Sequence, residues 1–144
     1  MLRKSHITSQ FDGLNISMIT TTPEAKPKAV LFIIHGLNGK KERFLPFMEH
    51  MTENGYVCIA HDHRGHGESI IKEEDRGYSY NGRSAALTKD MRSIRKWIRE
   101  NFPDTPVYML GHSMGSLAAR AYVRENDKDL KGLILCGSPS YNPL

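Results

Sequence analysis

Gly111-His112-Ser113-Met114-Gly115 places a serine midway between two glycines, directly after the apolar run Val107–Leu110 and at the head of a helical stretch, Ser116–Arg124. A serine hydroxyl is a weak nucleophile until a neighbouring base takes its proton. A tight strand-to-helix turn serves that chemistry by lifting the hydroxyl above the sheet, and it leaves no room for side chains two residues before and two after the serine. Gly111 and Gly115 meet that requirement. The helix N-terminus behind Ser113 favours developing negative charge. The chemistry this predicts is acyl transfer with Ser113 as the catalytic nucleophile. The plain alternative, an inert serine in a glycine-rich turn, does not need the strand before it and the helix after it.

Acyl transfer also needs two backbone N–H groups aimed at the carbonyl oxygen as it becomes an oxyanion. One comes from the residue after the nucleophile, Met114. The other is expected from His35-Gly36-Leu37-Asn38-Gly39, which follows the apolar run Ala29–Ile34, with Leu37 as the donor and Gly36 allowing close backbone approach. The His35 side chain is expected to hydrogen-bond the loop rather than react.

A third polar segment, His61-Asp62-His63-Arg64-Gly65-His66-Gly67-Glu68-Ser69, follows the run Tyr56–Ala60. Three close histidines raise a zinc-hydrolase alternative with His61, His63 and His66 as ligands. The pattern departs from an H-x-H-x-D-H ligand run at Gly65 and has no downstream histidine partners, so no metal is expected. The segment is expected to be a shaped turn, with Gly65 and Gly67 at the bends, Asp62 and Arg64 as a local ion pair, and His66 structural.

Three kinds of element must position these residues. Residues 5–22 alternate and turn at Asp12-Gly13, which predicts a β-hairpin, and Pro23 to Pro27 a loop. Phe44, Phe47, Met48 and Met51 predict a helix over Lys41–Asn54, with Gly55 as its stop. After a polar stretch to about Ala85, Leu87, Met91, Ile94 and Ile98 line one face of a helix that ends before Pro103. Its outer face, with Lys89, Arg92, Arg95, Lys96 and Arg99, is expected to be solvated. Val107–Leu110 and Gly132–Cys136 complete the buried strands. Apolar strands alternating with helices predict an α/β fold, a mostly parallel sheet covered by helices on both faces. Each polar motif then lies at the carboxyl end of a strand, where chemistry gathers in such sheets.

The 144 residues are 39% hydrophobic and 25% charged, which suits one domain and excludes a disordered chain. The formal charge of +4 comes from 20 basic and 16 acidic residues of mixed order, an ordinary surface rather than a nucleic-acid footprint. Peripheral contact with anionic lipid is the partner such a charge would allow. The N-terminus has no apolar stretch of signal-peptide type, and Cys58 and Cys136 each sit in an apolar run. Both are expected to be reduced and buried, in a cytoplasmic protein.

These motifs, in this order and spacing, resemble the α/β-hydrolase superfamily over essentially the whole chain, and within it the monoacylglycerol lipase and lysophospholipase group. The resemblance implies a serine ester hydrolase acting without a cofactor on a small acyl ester or lipid. The loop His35-Gly36-Leu37-Asn38 departs from the H-G-G-P-G of prolyl-peptidase-like members, which makes a peptidase the weaker expectation. The family order is Ser, then Asp or Glu, then His. The histidines here are 6, 35, 50, 61, 63, 66 and 112, so none follows Ser113. The later acids Glu125, Asp127 and Asp129 precede the strand that should carry the triad acid. The chain is therefore expected to be the N-terminal part of one hydrolase domain (residues 1–144), without lid or C-terminal part and inactive alone. It would self-associate or pair with a complementary C-terminal half through the open edge at Gly132–Cys136. A non-catalytic module of the same fold is the competing expectation.

Overall fold

A computed structural model describes residues 1–80 and 83–140, with residues 83 and 84 placed by backbone alone. Residues 141–144, where the resemblance would begin a lid, lie outside the described residues. Six strands form one sheet in the order β1-β2-β4-β3-β5-β6. The strands β1 (Leu2–Thr8) and β2 (Asn15–Thr21) form an antiparallel hairpin, with Leu2 opposite Thr21. The strands β3 (Ala29–Ile34), β4 (Tyr56–His61), β5 (Val107–His112) and β6 (Gly132–Cys136) run parallel to one another, and β2 joins β4 antiparallel. The helices are α1 (Leu45–Glu53), α2 (Arg83–Asn101) and α3 (Met114–Asn126).

The expected mostly parallel sheet with helices on both faces is therefore present, and β3 explains why it was legible. All six β3 residues are buried. Val30, Phe32 and Ile34 pack with Met91, Ile94 and Ile98 of α2 and with Ala119 and Tyr122 of α3. Leu31 and Ile33 point to the opposite face and pack with Met48 of α1. A strand covered on both sides loses the polar alternation of a half-exposed one.

Four expectations change. The helix over Lys41–Asn54 is two pieces, a 3-10 turn over Lys41–Phe44 and then α1. Pro46 lies in the first turn of α1, where its missing N–H leaves no intrahelical bond unmade. The outer face of α2 is not simply solvated: Arg92 pairs with Glu125, while Arg95 and Arg99 reach Asp129 at 3.0 and 2.9 Å. The Tyr122 hydroxyl donates to the same Asp129 at 2.8 Å, so this basic face docks against the end of α3. Leu87 is half-buried while Ala86 takes the inner position. Cys58 is buried but Cys136 is exposed, because β6 is the edge strand and its last three residues are uncovered among the described residues.

Candidate active site

The turn between β5 and α3 is built by contacts that admit no side chain. A Cβ on Gly111 would lie 2.6 Å from the Ser116 Cα and 2.7 Å from the Gly115 carbonyl oxygen. A Cβ on Gly115 would overlap the Ile34 and His35 carbonyls at the end of β3. Between them Ser113 sits at φ 53°, ψ −122°, a region that L residues rarely occupy and that costs about 1–3 kcal/mol. Its N–H donates to the Cys136 carbonyl at 2.9 Å, and its carbonyl accepts from Ser116 N at 2.9 Å. The half-buried Ser113 hydroxyl makes no hydrogen bond among the described residues.

The loop after β3 lies against this turn. Ile34 pairs with Gly111 in the parallel register, which carries Gly36 to the level of Ser113. A Cβ on Gly36 would stand 3.0 Å from the Ser113 Cβ and 3.2 Å from the His112 carbonyl. Neither Leu37 N–H nor Met114 N–H has an acceptor among the described residues. The Leu37 side chain is 64% exposed, and Asn38 takes a left-handed φ of 55° that turns the loop back. The His35 ring is buried in this loop, its Nδ1 2.6 Å from the Gly36 carbonyl and its Nε2 accepting from His63 N at 2.9 Å.

His61, His63 and His66 do cluster, with ring centroids 5.0 Å apart for the first pair and 6.1 Å for the second. Of their nitrogens, the His63 Nε2–H donates to the His35 carbonyl at 2.9 Å, while His61 Nδ1 and Nε2, His63 Nδ1 and His66 Nε2 have no partner among the described residues. Among the described residues no group of three or more His, Cys, Asp or Glu could hold a metal ion. Burial pushes His61 down to about 3 and His63 well below the ordinary imidazole value, so both rings are neutral.

The expected pairing of Asp62 with Arg64 does not form. The Asp62 carboxylate instead accepts from Lys41 N and Nζ at 2.8 and 2.7 Å and from Glu68 N at 2.9 Å. Lys41 Nζ also meets Glu68 at 2.6 Å and Glu42 at 2.9 Å. Although burial alone would lower the Lys41 ammonium's pKa, these carboxylates together raise it. Arg64 turns the other way, its Nε and Nη2 on Asp90 at 2.7 and 2.9 Å and its Nη1 on Asp12 at 2.8 Å. Lys41, Asp90 and Asp12 were not singled out as charged partners from sequence. Asp90 carried a signal, since it falls on the inward stripe of α2 one turn after Ala86. The later acids are engaged too, Glu125 with Arg92 and Asp129 with Arg95, Arg99 and Tyr122.

Residues 25–142 match the model of a family described as serine aminopeptidase, S33. A monoglyceride lipase of Rattus norvegicus is 28% identical over 113 residues, 78% of this chain and 36% of that protein. A monoacylglycerol lipase of Mycolicibacterium smegmatis is 28% identical over 141 residues, 97% of this chain and 48% of that protein. A thermostable carboxyl esterase from Bacillus coagulans, solved in complex with glycerol, superposes with a TM-score of 0.89 at 33% identity, covering 99% of this chain and 46% of that one. The chain thus spans less than half the length of each of these three proteins.

Proposed function

The chain belongs to the α/β-hydrolase superfamily, in the serine aminopeptidase S33 family, and from that premise we propose that it carries the nucleophile and oxyanion part of a serine carboxylic-ester hydrolase of the monoacylglycerol lipase and lysophospholipase type. One observation carries this proposal: the strained Ser113 sits against the Gly36 backbone with a hydroxyl that makes no hydrogen bond among the described residues, and the N–H groups of Leu37 and Met114 have no acceptor among them either. A purely structural turn has no use for that strain.

In this mechanism the Ser113 oxygen attacks the acyl carbon of an ester or lipid and its proton passes to an imidazole. The Leu37 and Met114 N–H groups hold the oxyanion, the imidazole protonates the departing alcohol, and water releases the acid from the acyl-serine. By the family's order, the imidazole and the carboxylate that orients it would come from outside residues 1–144, since no histidine follows Ser113 and the acids Glu125, Asp127 and Asp129 precede β6. We place these residues as the N-terminal part of a single hydrolase domain. The names of the relatives favour esters over peptides despite the family's description. We place the chain in a reducing compartment such as the cytoplasm, a reading supported by its two free cysteines, Cys58 and Cys136.

The test is fluorophosphonate labelling of Ser113 in the polypeptide as the cell makes it, with Ser113→Ala as the control. Labelling at Ser113, with hydrolysis of p-nitrophenyl esters above that of an aminoacyl-p-nitroanilide, is the expected result. Absence of labelling would favour a non-catalytic module of the same fold. Faster anilide cleavage would favour a peptidase. The 144-residue chain alone should hydrolyse esters at background rate.

A further inference from the structure

Two imidazoles hold two successive peptide units of the loop after β3. The His63 Nε2–H donates to the His35 carbonyl, which belongs to the peptide joining His35 to Gly36. The His35 ring faces the Gly36 carbonyl at 2.6 Å, which belongs to the next peptide, joining Gly36 to Leu37. Gly39 N donates to that same carbonyl at 3.0 Å, and a Cβ on Gly39 would stand only 2.8 Å from His35 Nδ1.

The protonation state of His35 follows from its other nitrogen. His63 N–H, a backbone group that can only donate, points at His35 Nε2 from 2.9 Å. That nitrogen must therefore offer its lone pair, and a neutral ring then carries its proton on Nδ1, against the Gly36 carbonyl. The ring is 1% exposed. It faces His61, His63 and His66 at centroid distances of 6.4, 4.2 and 5.3 Å, with Asp62 and Lys41 close enough to act on its charge and His112 beside Gly36 on the β5 side. In a trans peptide the C=O and N–H point in opposite directions, and no cis bond occurs among the described residues. Fixing the Gly36 carbonyl on the His35 side therefore turns the Leu37 N–H to the other side, where it has no acceptor among the described residues.

We propose that His35 is a positioning residue, whose neutral Nδ1–H form holds the Gly36–Leu37 peptide with the Leu37 N–H presented to the oxyanion. The proposal rests on the ester-hydrolase reading above, but its physical core is the ring's tautomer. A proton on Nε2 would face the His63 N–H, donor against donor, so that bond must break. Burial favours the neutral ring and opposes this step.

The first measurement is the long-range imidazole 1H–15N spectrum of the 15N-labelled chain, followed as pH is lowered. The Nδ1–H tautomer is expected at neutral pH, with the His63 amide signal moving together with Nε2 when it takes a proton. An Nε2–H tautomer, or a ring already protonated at neutral pH, overturns the proposal. The second uses His35→Asn, which keeps a donor at the Nδ1 position, and His35→Gln, which keeps only a group at the Nε2 position. In the polypeptide as the cell makes it, His35→Asn should retain most of the rate of Ser113 labelling. His35→Gln should lose about tenfold to 10²-fold, short of the loss expected for deleting an oxyanion donor outright. Equal rates in two variants that melt at similar temperatures overturn the proposal. If the parent protein takes no label, the hydrolase reading fails, and the tautomer alone decides the positioning role.

Discussion

Acid should destabilise this protein above the range in which its carboxylates titrate. His61 and His63 are each 1% exposed, and burial holds His61 down to about 3 and His63 well below the ordinary 6.5. In the unfolded chain both return to about 6.5. A folded-state value below the unfolded one means that the unfolded chain binds more protons, so this stability is complete above about pH 6.5 and lost as pH falls below it. At about pH 5.5 each ring costs RT ln 11, roughly 1.4 kcal/mol, and the pair about 2.8 kcal/mol. His35, also lowered by burial, adds in the same direction. Asp12, Glu42 and Glu68, whose values are lowered, lose their contribution only as pH falls below about 4.5, so the window is the histidines' own. Urea unfolding at constant ionic strength should show a loss of about 3 kcal/mol between about pH 8 and about pH 5.5, a large part of a typical 5–15 kcal/mol. His61→Leu provides the control, because neither His61 ring nitrogen has a partner to strand among the described residues. That variant should be as stable as the parent at about pH 8 or more so, and lose about 1.4 kcal/mol less in acid. A stability flat to within about 0.5 kcal/mol over this window would refute the reasoning, and an unchanged loss in His61→Leu would assign it to other groups.

Two further outcomes follow from buried charge and exposed apolar surface. Asp90→Ala leaves the fully buried Arg64 side chain with the Asp12 carboxylate and the Ser79 carbonyl, and should cost about 3 kcal/mol in urea unfolding, whereas Arg64→Met with Asp90→Leu should recover most of it. A single-variant loss below about 1 kcal/mol would mean that Asp12 suffices. On the α1 face, Ile134 is 46% exposed and borders a cavity of about 360 Å³ with Leu31, Phe47, Tyr108 and Leu110. The isolated chain should therefore self-associate in sedimentation velocity and Ile134→Lys should weaken that association; a parent chain that sediments as a monomer at every concentration tried counts against it.

What could be read from sequence was what depends on neighbours in sequence. The β3 run is legible because burial on both faces removes polar alternation, and the turn at Ser113 because its steric demand falls on Gly111 and Gly115, two residues away. The nearness of Gly36 to Ser113 followed from placing both at strand carboxyl ends, and the register of Ile34 with Gly111 brings them level. The charges were not legible in the same way. Lys41 looks like an exposed residue at the start of a helix, yet it is 0% exposed and its partner Asp62 lies 21 residues on. Only the parallel pairing of β3 with β4, which sets their end loops side by side, brings the two together. Arg95 falls on the outer face of α2 by periodicity, yet its partner Asp129 follows α3, and that helix's packing on α2 cannot be read from α2 itself.

These distant pairs bear on the turn itself. Its immediate contacts are made by β3, β5, β6 and α3, through Gly115 against the Ile34 and His35 carbonyls and Ser113 N on the Cys136 carbonyl. Strain of about 1–3 kcal/mol at one serine persists only where the surroundings over-determine it. Here the surroundings include a second layer: Lys41 on Asp62, His63 on His35, and Arg64 on Asp90 tie the loop after β3, the loop after β4 and α2 into one buried unit. Disrupting that layer should therefore release strain at Ser113 as well as cost stability. On this account Asp90→Ala, which touches neither the serine nor its neighbours, should slow Ser113 labelling more than an equally destabilising change in the β1–β2 hairpin. Equal slowing by the two would mean that the turn holds itself.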